Sequence, residues 1–202
     1  MTSKRHLFWA LLMPILVLGL TQAIAQPLLD PSTLTRYIDP LPQPPVRTPS
    51  GKYLGMPLYN VHLKQAKQKL HSQLDSTTVF TFDGSFPGPT FLLQSWQPIA
   101  VRYYNDLPLH HMFAVDTNIM VMKGMGYGDK SRFIAHLHGG EHVSASSDGW
   151  CLDAYGPGQS KLHIYPNAQQ AATLWYHDHS CGVTRLNAYA GIAGFYILID
   201  NY

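Results

Sequence analysis

The stretch Thr173-Leu-Trp-Tyr-His-Asp-His-Ser-Cys-Gly182 decides how this chain is read. Leu174, Trp175 and Tyr176 are bulky apolar and aromatic residues that suit a pleated, half-covered surface, and they predict a buried strand. His177 and His179 follow, two positions apart. Side chains alternate faces along a strand, so both imidazoles point the same way, roughly 6–7 Å apart. A second pair, His136-Leu-His138, repeats this spacing 41 residues earlier and runs straight into Gly139-Gly140. Imidazole is a borderline ligand for copper, zinc, nickel and iron. Two such pairs on neighbouring strands bring four imidazoles into one cavity, which predicts a metal site.

The rest of the chain sets the context. Its 202 residues suffice for one domain with a core. A hydrophobic content of 46% excludes a disordered chain. Residues 1–25 read as a secretory signal peptide. Lys4 and Arg5 form the positive start, Leu7 to Leu20 an uncharged apolar run of 14 residues, and Ala23-Ile-Ala25 the cleavage site. The expected location is therefore secreted or periplasmic, with no membrane span in the mature form. Lys4 and Arg5 are two of the 14 Lys+Arg, so residues 26–202 carry 12 against 12 Asp+Glu. A balanced chain without a basic cluster argues against nucleic acid as a partner. Cys151 and Cys181 could pair in an oxidising compartment. Cys181, however, lies two residues from His179 at a packed strand end, so the pairing stays open. No zinc-ribbon spacing is present.

Residues 26–50 hold seven prolines and read as an extended arm or linker, leaving 51–202 as the folded domain. Strands are expected over Thr77–Phe82, Ile99–Tyr104, Phe133–His138, Lys161–Tyr165, Ala171–Tyr176 and Gly194–Ile199. Leu58–Leu74 fits helix and strand periods equally. Phe86-Pro-Gly-Pro-Thr90 reads as a rigid bend. Leu109–Arg132 shows no period but holds His110, His111, Met112, Met120, Met122 and Met125, a second candidate for soft-metal binding beside a plain surface loop. Short strands, frequent turn signals and no strong amphipathic helix predict an all-β antiparallel sandwich or barrel. His163-Ile-Tyr-Pro-Asn167 mimics one element of the cupin metal motif. His136-x-His138-x2-Glu141, however, is one residue short of the usual cupin spacing. The absence of G-x-S-x-G gives no support to a serine hydrolase.

Taken with their flanks, His136-Leu-His-Gly-Gly140, Ser147-Asp-Gly-Trp150, Leu174-Trp-Tyr-His-Asp-His179 and Thr184-Arg-Leu-Asn-Ala-Tyr-Ala-Gly191 resemble the first domain of multicopper oxidases. The resemblance is to the bacterial spore-coat laccase, bilirubin oxidase and phenoxazinone synthase branch. Phe86–Thr90, Tyr104-Asn-Asp-Leu-Pro108 and Ile38-Asp-Pro-Leu-Pro42 fit the same branch, and the similarity runs from Thr35 to Asp200. It implies a cupredoxin-like Greek-key β-barrel, with Leu58–Leu74 mostly strand. It further implies a copper cofactor. His136 would serve the type 2 ion of a trinuclear cluster, and His138, His177 and His179 the type 3 pair. Asp148, in the Ser-Asp-Gly segment, becomes a candidate catalytic proton donor beside the cluster, and Asp178 a structural residue.

One departure from the family pattern bears on function. The remaining cluster ligands and the cysteine of the type 1 copper sit, in the family, in a later domain that carries a His-Cys-His segment. Neither Cys151 nor Cys181 has such neighbours. The expectation is therefore a laccase-like oxidase's copper-binding first domain, in a fragment or split half, incomplete as an oxidase alone. Its partners would be the missing C-terminal oxidase domains or a complementary chain, with O2 and a reducing substrate used by the complete enzyme. The alternative is a non-catalytic periplasmic copper-binding module.

Overall fold

Alternation of apolar and polar side chains makes strands the dominant regular element of the computed structural model, which describes residues 28–119 and 128–200. The reading of residues 1–25 as a signal peptide, and Met120, Met122 and Met125, lie outside those residues. The chain divides into two units, Met1–Ile38 and Asp39–Tyr202. In the first, Pro31–Thr33 forms a 3-10 turn whose start is capped by the Asp30 carboxylate accepting from Ser32 N at 2.9 Å. The strands belong to the second.

Among the described residues, nine strands make two sheets. The first contains β1 (Gly51–Tyr53), β2 (Met56–Gln68), β3 (Thr77–Phe82), β5 (Ile99–Asn105) and β7 (Ser160–Tyr165). Its order is β1-β2-β5-β7, with β3 also pairing β2. The second has the order β4-β9-β8-β6, built from β4 (Gly88–Gln94), β9 (Ala193–Ile199), β8 (Ala172–Asp178) and β6 (Ala135–His138). The all-β expectation holds. Two pairings are parallel, however, β2 with β5 and β4 with β9, where a wholly antiparallel arrangement was expected. Alternation fixes which side chains face inward but not the direction of the neighbouring strand.

Between the sheets lies a core of aromatic rings. Tyr103, Tyr165, Tyr176 and Tyr196 are fully buried there beside Phe82, Phe91 and Phe133. The Tyr176 hydroxyl donates to the Pro89 carbonyl at 2.7 Å, which satisfies a polar atom where water cannot reach. Gly194 makes room for that ring: a Cβ there would stand 2.5–2.6 Å from Tyr176 ring atoms. β8 and β9 can therefore pair with Tyr176 lying across them.

Leu58–Leu74 is strand as far as Gln68. Pro87 and Pro89 do not end in a simple bend, because β4 starts at Gly88. Proline is tolerated there because β4 is the last strand of its sheet's path. Residues 45–47 then line its free side: Thr90 N donates to Pro45 O, and Arg47 N donates to Thr90 O. The half-buried Arg47 guanidinium pairs with Asp83 and with the Asn60 carbonyl. One helix that the periodicity reading did not foresee, α1 (Thr184–Ala190), follows β8. Its start is held by the Thr184 hydroxyl donating to Ser180 O at 2.8 Å. Among the described residues no helix is long and apolar enough to cross a membrane.

Candidate metal centre

β6 and β8 are antiparallel neighbours in a register that sets Ala135 opposite Asp178, His136 opposite His177, Leu137 opposite Tyr176 and His138 opposite Trp175. Leu137, Tyr176, Ala135 and Asp178 are buried on the core side. The pleat therefore turns His136, His138, Trp175 and His177 to the outer face of the sheet. β8 ends at Asp178, but the ladder continues one step, with His179 N donating to Ile134 O at 2.9 Å. Hydrophobicity placed Trp175 inside. It is 39% exposed, because strand alternation puts it on the same side as His177.

The four imidazoles converge as the spacing predicted. Ring centroids are 5.6 Å apart for His136–His138 and 6.1 Å for His177–His179. Ligand atoms of His136, His138 and His177 all lie within 4.8 Å of one another. His179 stands outside that group but joins it through His136, at 4.9 Å between ring centroids. The Trp175 indole stacks on His177 at 4.1 Å and on His138 at 5.1 Å, walling one side of the cluster.

Backbone carbonyls aim the rings. His136 Nδ1 donates to Asp148 O and His177 Nδ1 donates to Asp178 O, each at 2.6 Å. A carbonyl only accepts, so both Nδ1 atoms carry the proton, and in the neutral ring that leaves the lone pair on Nε2. His138 Nδ1 faces His177 Nε2 at 3.2 Å. Burial, reinforced by the other three imidazoles, pushes His177 down to about 4, while its bond to the Asp178 carbonyl opposes the shift. At neutral pH this ring is uncharged, as a metal ligand must be. An all-nitrogen set of close donors on one face fits a copper ion by donor chemistry.

Other sequence candidates sit elsewhere or act differently. Asp148 is half exposed, its Oδ1 3.4 Å from His136 Nδ1. With His136, Trp150, Asp153 and His179 it lines an open cleft of about 530 Å³. Asp178 is fully buried, accepting from Ile134 N, Ser180 N and the Ser180 hydroxyl, which fits a structural role. Burial raises its carboxyl above the usual range, against the pull of these hydrogen bonds. His111 is a packing residue: Nε2 donates to the Asn187 side-chain oxygen at 3.1 Å and Nδ1 accepts from Phe113 N at 3.0 Å. His110 pairs with the Asp129 carboxylate at 3.0 Å on the surface.

The question left open on the cysteines is answered by a Cys151–Cys181 disulfide, which ties the loop after Asp148 to the segment after His179. Two further contributors lie in the Ser147-Asp-Gly-Trp150 motif, but the sequence reading gave them no such role. One is the Asp148 main-chain carbonyl. The other is Gly149 at φ +82°, where a Cβ would fall 2.3 Å from the Ala135 carbonyl oxygen. Only a glycine lets this loop press against β6 beside His136.

Residues 127–201 match the family model described as "Multicopper oxidase". The chain is 38% identical over 179 residues to a laccase of Bacillus stratosphericus, an alignment covering 84% of this chain and 34% of that protein. It is 34% identical over 167 residues to the bilirubin oxidase of Albifimbria verrucaria, covering 80% of this chain and 25% of the other. Its fold superposes on the crystal structure of a multi-copper oxidase from Pediococcus acidilactici with a TM-score of 0.64. That match has 20% identity and covers 81% of this chain and 30% of that one. The chain thus spans between a quarter and a third of the length of these curated relatives.

Proposed function

For a chain that carries a multicopper oxidase domain of cupredoxin-like fold, homologous to laccases, we propose that His136, His138, His177 and His179 are copper ligands. They would supply four imidazoles of a trinuclear cluster, His136 to the type 2 ion and the other three to the type 3 pair. The observation that carries this is the convergence of four imidazoles on one outer sheet face, three with ligand atoms within 4.8 Å. Copper bound there supplies one-electron redox capacity for the reduction of dioxygen to water. The protein's part is to hold the rings. The Asp148 and Asp178 carbonyls fix the tautomers of His136 and His177, and Trp175 keeps water from one flank of the pair His138–His177. The Asp148 carboxylate stands on the cleft beside His136 and is the candidate proton donor.

The cluster is completed from outside this chain's own ligand set. The imidazoles open outward, and the same face continues as an apolar surface: Trp175 is opposite Phe195 in the register, with Leu92 and Ile199 also exposed. Such a surface fits burial against a further oxidase domain, of the same protein or of a complementary chain. Both cysteines are engaged in the disulfide, so this chain offers no thiolate for a type 1 copper. On this reading residues 28–200 supply four imidazoles of the cluster, and the type 1 copper would be held by a further domain. The apolar run of residues 7–20 and the disulfide favour export to the periplasm or beyond.

The test is copper affinity of the purified chain by competition with a chelator. Replacing His177 and His179 together by alanine should abolish most binding, and His110→Ala should leave it unchanged. Equal losses in the two would move the site to the His110 region and overturn the assignment. Blue colour or laccase-level oxygen uptake by this chain alone would overturn its reading as an incomplete oxidase.

A further inference from the structure

The loop from Ser147 to Cys151 is held at four points, two of them against His136. The Ser147 hydroxyl accepts from Ile164 N at 2.9 Å, and the Ser147 carbonyl accepts from the buried His163 Nδ1 at 2.8 Å. The Asp148 carbonyl takes the His136 Nδ1 proton, and Gly149 rests on the backbone of Ala135 and His136. The fourth point is covalent. Cys151 is bonded to Cys181, whose N–H also donates to the Cys151 carbonyl at 3.3 Å. Cys181 is two residues beyond His179. The bridge therefore joins the segment that orients His136 to the segment that carries His179, and these two rings lie 4.9 Å apart.

We propose that Cys151–Cys181 is a positioning element of the metal centre, so that the alignment of His136 toward His179, and with it metal retention, depends on the bridge being oxidised. This rests on the reading of the four imidazoles as ligands. Reduction by a dithiol breaks the S–S bond: two electrons and two protons pass to the cysteines, giving two thiols, and the dithiol closes to a cyclic disulfide. The freed loop keeps its bonds to His163 and Ile164 but loses the tie that holds Asp148 O against His136. His177 is unaffected, because its acceptor, Asp178 O, belongs to β8 itself. A chain still in a reducing compartment would hold copper less well than the same chain after export.

The experiment compares the purified chain with its Cys151→Ser/Cys181→Ser variant, with imidazole nitrogens labelled for NMR. In the metal-free wild type both His136 and His177 should show a slowly exchanging Nδ1 proton. In the variant the His136 proton should be lost to exchange while that of His177 persists. The Cu(II) dissociation constant, by chelator competition, should rise about tenfold, the low end for loss of a ligand's outer partner. An unchanged His136 proton, or an affinity within about twofold of wild type, overturns the proposal. Should the variant fail to fold, the same proton is followed in the wild-type chain while a dithiol reduces the bridge. Loss of the His136 proton on reduction supports the argument, and its persistence refutes it. Failure of the ligand reading is distinguishable: alanines at His177 and His179 would then leave copper affinity unchanged, whereas the proton measurement needs no metal.

Discussion

Replacing His163 by glutamine should flatten the acid sensitivity of the fold. The imidazole, carried by β7 itself, is fully buried, donating from Nδ1 to the Ser147 carbonyl, with Nε2 facing no hydrogen-bond partner. Burial pushes it down to about 4, partly opposed by the Ser147 bond and assisted by the Lys161 charge. In the unfolded chain the same ring takes its proton near pH ~6.5. The folded value is the lower one, so the native state stays neutral while the unfolded state gains a proton as the pH falls below ~6.5. Stability is therefore constant above that pH and is lost between ~6.5 and ~4. At pH 5 the unfolded ring is almost fully charged and the folded one almost fully neutral, a difference of about 2 kcal/mol. The glutamine side chain of His163→Gln can still donate an amide proton toward the Ser147 carbonyl but cannot titrate. Urea unfolding of the metal-free chain at pH 7 and pH 5, for both proteins, isolates the effect, since His177 shifts both alike. Wild type should lose about 2 kcal/mol more than His163→Gln on acidification. Equal losses would refute the account of His163 as a buried neutral base.

Asp148→Asn should change copper affinity by less than about threefold, because the backbone carbonyl and not the carboxylate aims His136. A loss of about tenfold or more would assign the orienting role to the side chain. Gly194→Ala should cost about 3 kcal/mol in urea unfolding, since its Cβ meets the Tyr176 ring, which a hydroxyl bond and full burial hold still. A cost below about 1 kcal/mol would mean the ring can shift. Removing the bridge, which closes a separation of 30 residues, should cost about 3.5 kcal/mol by loop-closure entropy. A thermal midpoint equal to wild type would argue that the reduced, unfolded chain remains compact.

The cluster of histidines was legible because two His-x-His pairs in apolar strands carry their geometry with them: a period of two and a shared face need no tertiary information. Thr77–Phe82 was legible for a similar reason, since β-branched and aromatic residues ended by Asp83-Gly84 leave little choice. β4 was hidden by prolines that are harmful in a central strand and harmless at an edge. Helix α1 was hidden by its seven residues, too few to show an apolar stripe. Trp175 was placed inside on hydrophobicity, although the alternation that aligned the histidines already set it beside them. The partners that aim the rings were not legible, because Asp148 O and Asp178 O are main-chain atoms that no residue type announces. The disulfide needed distance, and sequence separation alone does not supply one.

The parallel pairing of β4 with β9 sets Gly88 opposite Gly194, so this sheet joins residues 106 positions apart. Contacts of such long range must overcome loop-closure entropy before they stabilise anything, which makes the sheet a late event in folding. Until β9 arrives, β8 has β6 as its sole sheet neighbour and the side of the Tyr176 ring that Gly194 covers stays open. A ribosome-bound chain that has not yet released Ala193–Ile199 therefore cannot display the finished histidine face. The order of synthesis delays metal capture: ions are met by a nearly complete domain, and not by loose imidazoles on a growing chain.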